Sequence, residues 1–360
     1  MSGKFQTRWN GTEGAPWGWT ERHRRLQVAI VGATGAVGRE LALLLGAAGH
    51  PPERTDCLAR RFGKLEIPRA RVRLDVRPLE STRDAADFEG TDLAFLCTPS
   101  GISRELAPAL AEVGVRVIDL SSALRMRPDI PLVIPEINGA ELERAPRIVA
   151  NPNCTTAIAA LPLAVVERVF GLEEVIIVSY QAASGAGAAG VETLLYEARV
   201  ATDAPLQGAP PTSPFAARLH LNVIPAIADV AADGTSGEEQ KIADETRKIL
   251  GLPGLVVEAT TARVPVERCH SVAVHCRLRA DLDLPRLRAE LARAPGIALT
   301  EDPHGPRPLE CAGSDPVHVG RIRAGTRGKR SLCFFAVGDQ IRKGAALNAL
   351  QIAAALPVER

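Results

Sequence analysis

The run Leu26-Gln27-Val28-Ala29-Ile30-Val31 is short and β-branched, and it passes directly into Gly32-Ala33-Thr34-Gly35-Ala36-Val37-Gly38. Residues 39–48 then read as a Leu-rich amphipathic helix. Strand, glycine loop and helix in that order open a doubly wound sheet, because glycines permit a tight turn and a close approach by a pyrophosphate. The free amides of the helix start then point at the phosphates. Gly32, Thr34, Gly35, Ala36, Val37 and Gly38 are therefore candidate cofactor contacts. Glycine spacing alone is a weak signal, and its place between a strand and a helix makes it specific.

The next segments continue the pattern. Residues 92–96 and 115–118 read as strands, with a helix over 103–113 between them, which predicts a parallel sheet with crossover helices. After the turn Asn151-Pro152-Asn153 the pattern changes. Residues 154–170 read as one long apolar helix, followed by Val- and Ile-rich strands over 175–180, 256–266 and 271–278 and helices over 238–250 and 283–294. The expectation is α/β: a dinucleotide-binding domain over 26–153, rejoined by a terminal helix over 344–360, and an α+β catalytic and dimerisation domain over 154–343. Residues 204–214, with four prolines, read as an exposed loop, and residues 1–25 as a floppy polar extension.

Composition bounds the partners. Lys and Arg number 43 against 42 for Asp and Glu in 360 residues, with no long basic run, so a nucleic-acid surface is not expected. No apolar stretch approaches the roughly 18 residues of a membrane helix. Small molecules and further copies of the chain are the expected partners, and the cytoplasm is the expected compartment. The seven cysteines lack a Cys-x-x-Cys pair, which predicts reduced thiols and no metal site.

About 20 residues past the last glycine, where NAD-specific proteins carry an acid for the ribose, this chain has Arg60 and Arg61. An arginine fork suits a 2′-phosphate, so the expected cofactor is NADP rather than NAD. Cys154 opens the long helix. A helix N-terminus favours a thiolate, and first-turn amides can hold an oxyanion, which makes Cys154 the candidate nucleophile. His270 is the histidine with the most informative setting: Arg263 precedes it across a strand-like run, so both could face one cleft.

Asn151-Pro152-Asn153-Cys154-Thr155-Thr156, Ser179-Tyr180-Gln181-Ala182-Ala183-Ser184-Gly185-Ala186-Gly187 and the Arg263 to His270 stretch resemble, in this order, the motifs of the aspartate-semialdehyde dehydrogenases. Val319-Gly320-Arg321-Ile322-Arg323 and Gly338-Asp339-Gln340 through Asn348 extend the likeness to nearly everything but the N-terminal extension. The resemblance implies a Rossmann-type domain and a homodimer or homotetramer. It implies that Cys154 is the nucleophile, His270 the general acid/base and Gln181 the amide that helps hold the acyl group. Arg263 would pair with a substrate α-carboxylate and Glu238 with its ammonium, and Lys241 and Arg125 would bind phosphate. Ser184, Gly185 and Gln340 would join the cofactor site. The implied reaction is reductive dephosphorylation of L-aspartyl-4-phosphate to L-aspartate 4-semialdehyde, with inorganic phosphate as co-product, in lysine, threonine and methionine biosynthesis. Leu120, Leu124 and Cys269 depart from the bacterial members, which carry Asn, an aromatic and Gly there. The Asp119-Leu120-Ser121-Ser122 version leans toward the N-acetyl-γ-glutamyl-phosphate reductases, which are one alternative. A non-catalytic nucleotide-binding paralogue is the other.

Overall fold

The computed structural model describes residues 16–60, 63–67, 72–79, 85–200 and 212–357, arranged as two units. The first comprises Met1–Pro152 and Ala345–Arg360. Its strands are β1 (Val28–Val31), β2 (Thr55–Ala59), β3 (Gly63–Ile67), β4 (Val72–Pro78), β5 (Leu93–Leu96), β6 (Arg116–Asp119) and β7 (Ile148–Ala150). They form one sheet in the order β3-β4-β2-β1-β5-β6-β7, parallel throughout except for the β3–β4 pair. Every residue of β1 and β5 is buried, as expected of central parallel strands covered on both faces. The strand order reverses at β1, so the glycine loop leaves the sheet at its topological switch point.

The helix after the glycine loop spans Ala36–Ala47, starting three residues before the sequence pattern suggested, because Gly35 is its N-cap. The helix Ser100–Glu112 crosses from β5 to β6. The terminal helix Leu347–Ala355 belongs to this unit, with Leu347, Leu350 and Ile352 in its core. Residues 1–15 lie outside the described residues, but the extension is ordered from residue 16, short of the expected boundary at Arg25. Trp19 is fully buried in the core, its ring 5.0 Å from His23 and 5.6 Å from His50, and Arg24 Nε donates to the carbonyl of Ala48 at 3.0 Å. A tryptophan buries about 150–250 Å², so at about 25 cal/mol/Å² one such anchor contributes at most roughly 4–6 kcal/mol. That outweighs the polar composition around it.

The second unit is Asn153–Gly344. Its strands are β8 (Leu172–Gln181), β9 (Val256–Arg263), β10 (His270–Leu278), β11 (Ile297–Leu299), β12 (Val317–Ala324) and β13 (Ser331–Gly338), in the order β11-β12-β13-β10-β8-β9. The sheet is mixed: β8–β9 and β11–β12 are parallel, the rest antiparallel. Val175, Ile177, Ser179 and Gln181 form the buried face of β8 by strict alternation. The helix Cys154–Phe170 begins and ends where the sequence suggested, and twelve of its residues are buried. The helix Gly187–Val200 and the strands β12 and β13 were not expected. β13 is buried along nearly its whole length, so it lacks the alternation that marks a strand. The expected loop over 204–214 lies mostly outside the described residues. Among the described residues no helix is long and apolar enough to cross a membrane, and no cluster of three or more metal-ligating side chains occurs.

Candidate active site

In the first unit, Gly32 has φ +92°, and a Cβ there would collide with the carbonyl oxygen of Cys97. A Cβ on Gly38 would strike Gly32 and Ala33. The loop is thus held tight against the end of β1, its Gly32 N–H donating to the carbonyl of Leu58 at 2.6 Å. No side chain caps the helix Ala36–Ala47, which leaves its first-turn amides to an anionic ligand. Arg60 is exposed just past the end of β2, two residues beyond the Leu58 that holds Gly32. Arg61 lies outside the described residues. This cradle fits the pyrophosphate of a dinucleotide. Arg125 is buried, not the loop charge that its residue type suggests: Nε donates to the Asn151 carbonyl at 2.9 Å and Nη2 to the Leu120 carbonyl at 3.0 Å.

In the second unit, sheet register gathers residues far apart in sequence. Gln181, the last residue of β8, pairs with Arg263, the last of β9, and His270 opens β10 beside them. Gln181 Nε2 donates to Glu238 Oε1 at 3.1 Å, and so does Asn153 Nδ2 at 2.8 Å. Glu238 is buried, and Lys241, on the same helix Gly237–Leu250, lies 3.8 Å from its other oxygen. Arg263 Nη1 donates to the Ala182 carbonyl at 2.7 Å. Burial lowers the Arg263 guanidinium below its ordinary value, while Cys154 and Glu238 act in the opposite sense. Gly185 packs against this group so closely that a Cβ would sit 2.5 Å from Arg263 Nη1 and 3.2 Å from His270 Nε2.

His270 has no exposed surface. The N–H of Ala182 donates to its Nδ1 at 3.1 Å, which makes Nδ1 an acceptor and assigns the imidazole proton to Nε2. Burial first, and the Arg263 charge second, hold its pKa well below the usual histidine value. With Nδ1 an acceptor the ring is neutral, and its Nε2 is a buried polar atom with no partner among the described residues. Cys154 is half-buried at the start of its helix.

The expected use of the first-turn amides as an oxyanion hole does not hold for two of them. Asn153 Oδ1 accepts from the N–H groups of Thr155 at 2.8 Å and Thr156 at 3.2 Å, so the N-cap consumes these donors. Ser184 and Gln340 form a relay in which Gln340 Nε2 donates to Ser184 Oγ, Ser184 Oγ to the Glu267 carbonyl, and the Cys269 N–H to Gln340 Oε1 at 2.8 Å.

Residues 27–145 match the family described as semialdehyde dehydrogenase, NAD binding domain, and residues 162–343 match semialdehyde dehydrogenase, dimerisation domain. An aspartate-semialdehyde dehydrogenase of Synechocystis is 36% identical over 93% of this chain and 98% of its own length. One of Mycolicibacterium smegmatis is 37% identical over 93% and 99%. The chain belongs to the aspartate-semialdehyde dehydrogenase family. Among solved structures, aspartate semialdehyde dehydrogenase II of Vibrio cholerae superposes with a TM-score of 0.84 at 34% identity, covering 91% of this chain and 97% of that one. Its complex with ASA gives 0.85 at 33% identity, with 92% and 97% covered. As a member of the aspartate-semialdehyde dehydrogenase family, the chain is an oxidoreductase with a dinucleotide-binding unit and a dimerisation unit.

The departures from this family's motifs acquire physical content. Cys269 has φ +75°, a left-handed conformation that costs a non-glycine residue about 1–3 kcal/mol and that a glycine would adopt without strain. Leu124 is buried, and Leu120 packs on the core of the first unit, so both act in packing. Two residues escaped the sequence reading. Asn153 was legible as an N-cap ahead of an apolar helix, but not as a partner of Glu238. Glu245, buried and accepting from the Asn153 N–H at 2.6 Å, gave no local signal, since 92 residues separate the two.

Proposed function

We propose that the chain catalyses NADP-dependent reductive dephosphorylation of L-aspartyl-4-phosphate to L-aspartate 4-semialdehyde through a thioester on Cys154. The observation that carries this reading is the buried set of Arg263, Glu238 and Gln181 beside an unpartnered His270 Nε2, in the unit that presents Cys154. Arg263 offers a planar fork to the α-carboxylate and Glu238 a buried charge to the α-ammonium. The Cys154 sulfur attacks the acyl carbon, a C–S bond forms, and inorganic phosphate leaves with the C–O electron pair. Lys241 of this unit is the cation assigned to that phosphate, and Arg125 of the first unit is a second candidate cation. NADPH would supply the hydride; its candidate contacts are the Gly32 to Gly38 loop and the Arg60/Arg61 pair in the first unit, and Ser184, Gly185 and Gln340 in the second. His270 Nε2–H donates a hydrogen bond to the oxyanion of the tetrahedral adduct, which collapses to the aldehyde as the C–S bond breaks and the Cys154 thiolate leaves. Gln181 holds the acyl group in place. Splitting one hard displacement into two easier steps is the benefit of the covalent route.

The dimerisation-domain match supports association into a homodimer or homotetramer. Action in the cytoplasm, serving lysine, threonine and methionine biosynthesis, belongs to the same proposal. The test is turnover in the oxidative direction with NADP and phosphate. Good turnover of aspartate semialdehyde with little or none of N-acetyl-glutamate semialdehyde is expected, because an acetylated amine brings no positive charge to the buried Glu238 carboxylate. Faster turnover of the acetylated aldehyde would assign the chain to the reductases instead.

A further inference from the structure

We propose that Glu245 is a positioning residue for Cys154: it holds the main chain one residue before the nucleophile and sets the charge beside its sulfur. This rests on the reaction proposed above, in which Cys154 attacks. Glu245 lies on the helix Gly237–Leu250, seven residues after Glu238, so the two carboxylates share a face about 10 Å apart along the axis. Both are buried, as are Ile242, Thr246 and Ile249 on the same side, and the helix packs on the helix Cys154–Phe170. A carboxylate thus stands at 245 where the spacing calls for an apolar residue, and its burial is costly unless specific donors receive it. One donor is the Asn153 N–H, 2.6 Å from Glu245 Oε2.

Two carboxylates of one helix therefore hold Asn153 at different points. Glu238 takes its side-chain amide at 2.8 Å and Glu245 its backbone, while Asn153 Oδ1 caps the Thr155 and Thr156 amides. A side-chain contact can follow χ rotations, but the backbone contact fixes where the chain enters Cys154. Cys154 is bounded from another direction too, since a Cβ on Gly344 would come within 2.9 Å of its Cβ. A nucleophile confined in this way tolerates little displacement, and a shift of about 1 Å can cost about a hundredfold in rate. Charge acts beside geometry. Arg263 interacts with Cys154 and stands against Glu238 and Glu245, with Lys241 3.8 Å from Glu238 and the buried Lys343 next to Gly344. His270 adds no charge. Removing the Glu245 charge should make the thiolate form more easily, and removing its acceptor oxygen should release the chain.

The experiment compares Glu245→Gln, which loses the charge but keeps an acceptor oxygen, with Glu245→Met, which loses both. On the full-length protein it measures kcat and KM for aspartate semialdehyde with NADP and phosphate, the affinity for NADP, and the pH midpoint of iodoacetamide labelling at Cys154, read from peptide masses. Glu245→Met should lower kcat about tenfold or more with KM within about twofold, while Glu245→Gln keeps the larger share of kcat. Both should bind NADP as the parent does and move the labelling midpoint down by about half a pH unit or more. Equal kcat in the two variants, a loss carried by KM instead, or an unmoved midpoint in both would overturn the proposal. If Glu245→Met does not fold, the midpoint of Glu245→Gln decides. Labelling needs no substrate, so a parent inactive on the aldehyde would refute the proposed reaction, and the midpoints would still decide the role of Glu245.

Discussion

Glu238→Gln separates the charge of the proposed substrate pocket from its shape. Glu238 Oε1 accepts from Asn153 Nδ2 at 2.8 Å and from Gln181 Nε2 at 3.1 Å. A glutamine with its carbonyl oxygen in that place keeps both acceptor contacts. Its amide nitrogen then replaces the oxygen that lies 3.8 Å from Lys241, a half-exposed cation whose loss as a partner costs under about 1 kcal/mol. Folding should therefore change little. What is removed is the ionic hydrogen bond to a substrate ammonium, worth about 1.5–3 kcal/mol. At 1.36 kcal/mol per decade this lowers kcat/KM about 10- to 150-fold for aspartate semialdehyde. The assay is the initial rate of NADP reduction with phosphate, with succinate semialdehyde, which lacks the ammonium, as the second substrate. The variant should lose rate on the first aldehyde and keep it on the second. Equal losses on both would refute the reasoning and place the effect of Glu238 in its hold on Asn153 and the helix start.

Three further outcomes are expected. Iodoacetamide at neutral pH should label Cys154 first, because burial pushes the thiols of Cys57 and Cys97 up to about 12, that of Cys311 to about 11 and those of Cys269 and Cys276 higher still; Cys154→Ala should abolish turnover yet bind NADP, and peptide mass spectra showing Cys333 labelled ahead of Cys154 would contradict this. Arg60→Ala/Arg61→Ala should reduce the NADP-over-NAD ratio of kcat/KM by about tenfold or more, and a parent enzyme using both cofactors equally would remove the basis for it. Burial lowers the pKa of His23 to about 4, of His50 below 6.5 and of His270 well below 6.5, so the unfolded chain binds more protons as pH falls through 6.5. Stability should be full above that value and decline toward pH 4, and His23→Gln should flatten the decline in Tm; an unchanged slope would show that His23 does not contribute.

The parts of this protein legible in sequence are those set by contacts close along the chain. The glycine loop between β1 and its helix, and the start of the Cys154 helix behind Asn153, depend on backbone conformations and caps that span a few residues. The tertiary structure alone decided what depends on register and burial. The parallel pairing of β8 with β9 sets Gln181 against Arg263, 82 residues apart, and the antiparallel β10 brings His270 to the same edge. Only packing hands the Ala182 N–H to His270 Nδ1, fixing the tautomer whose Nε2 has no partner among the described residues. Arg125 and Glu238 look like solvated charges because residue type carries no information about desolvation, yet both are buried among specific partners. Trp19, in a segment of polar composition, is core for the same reason: one large ring finds a cavity that no local pattern announces.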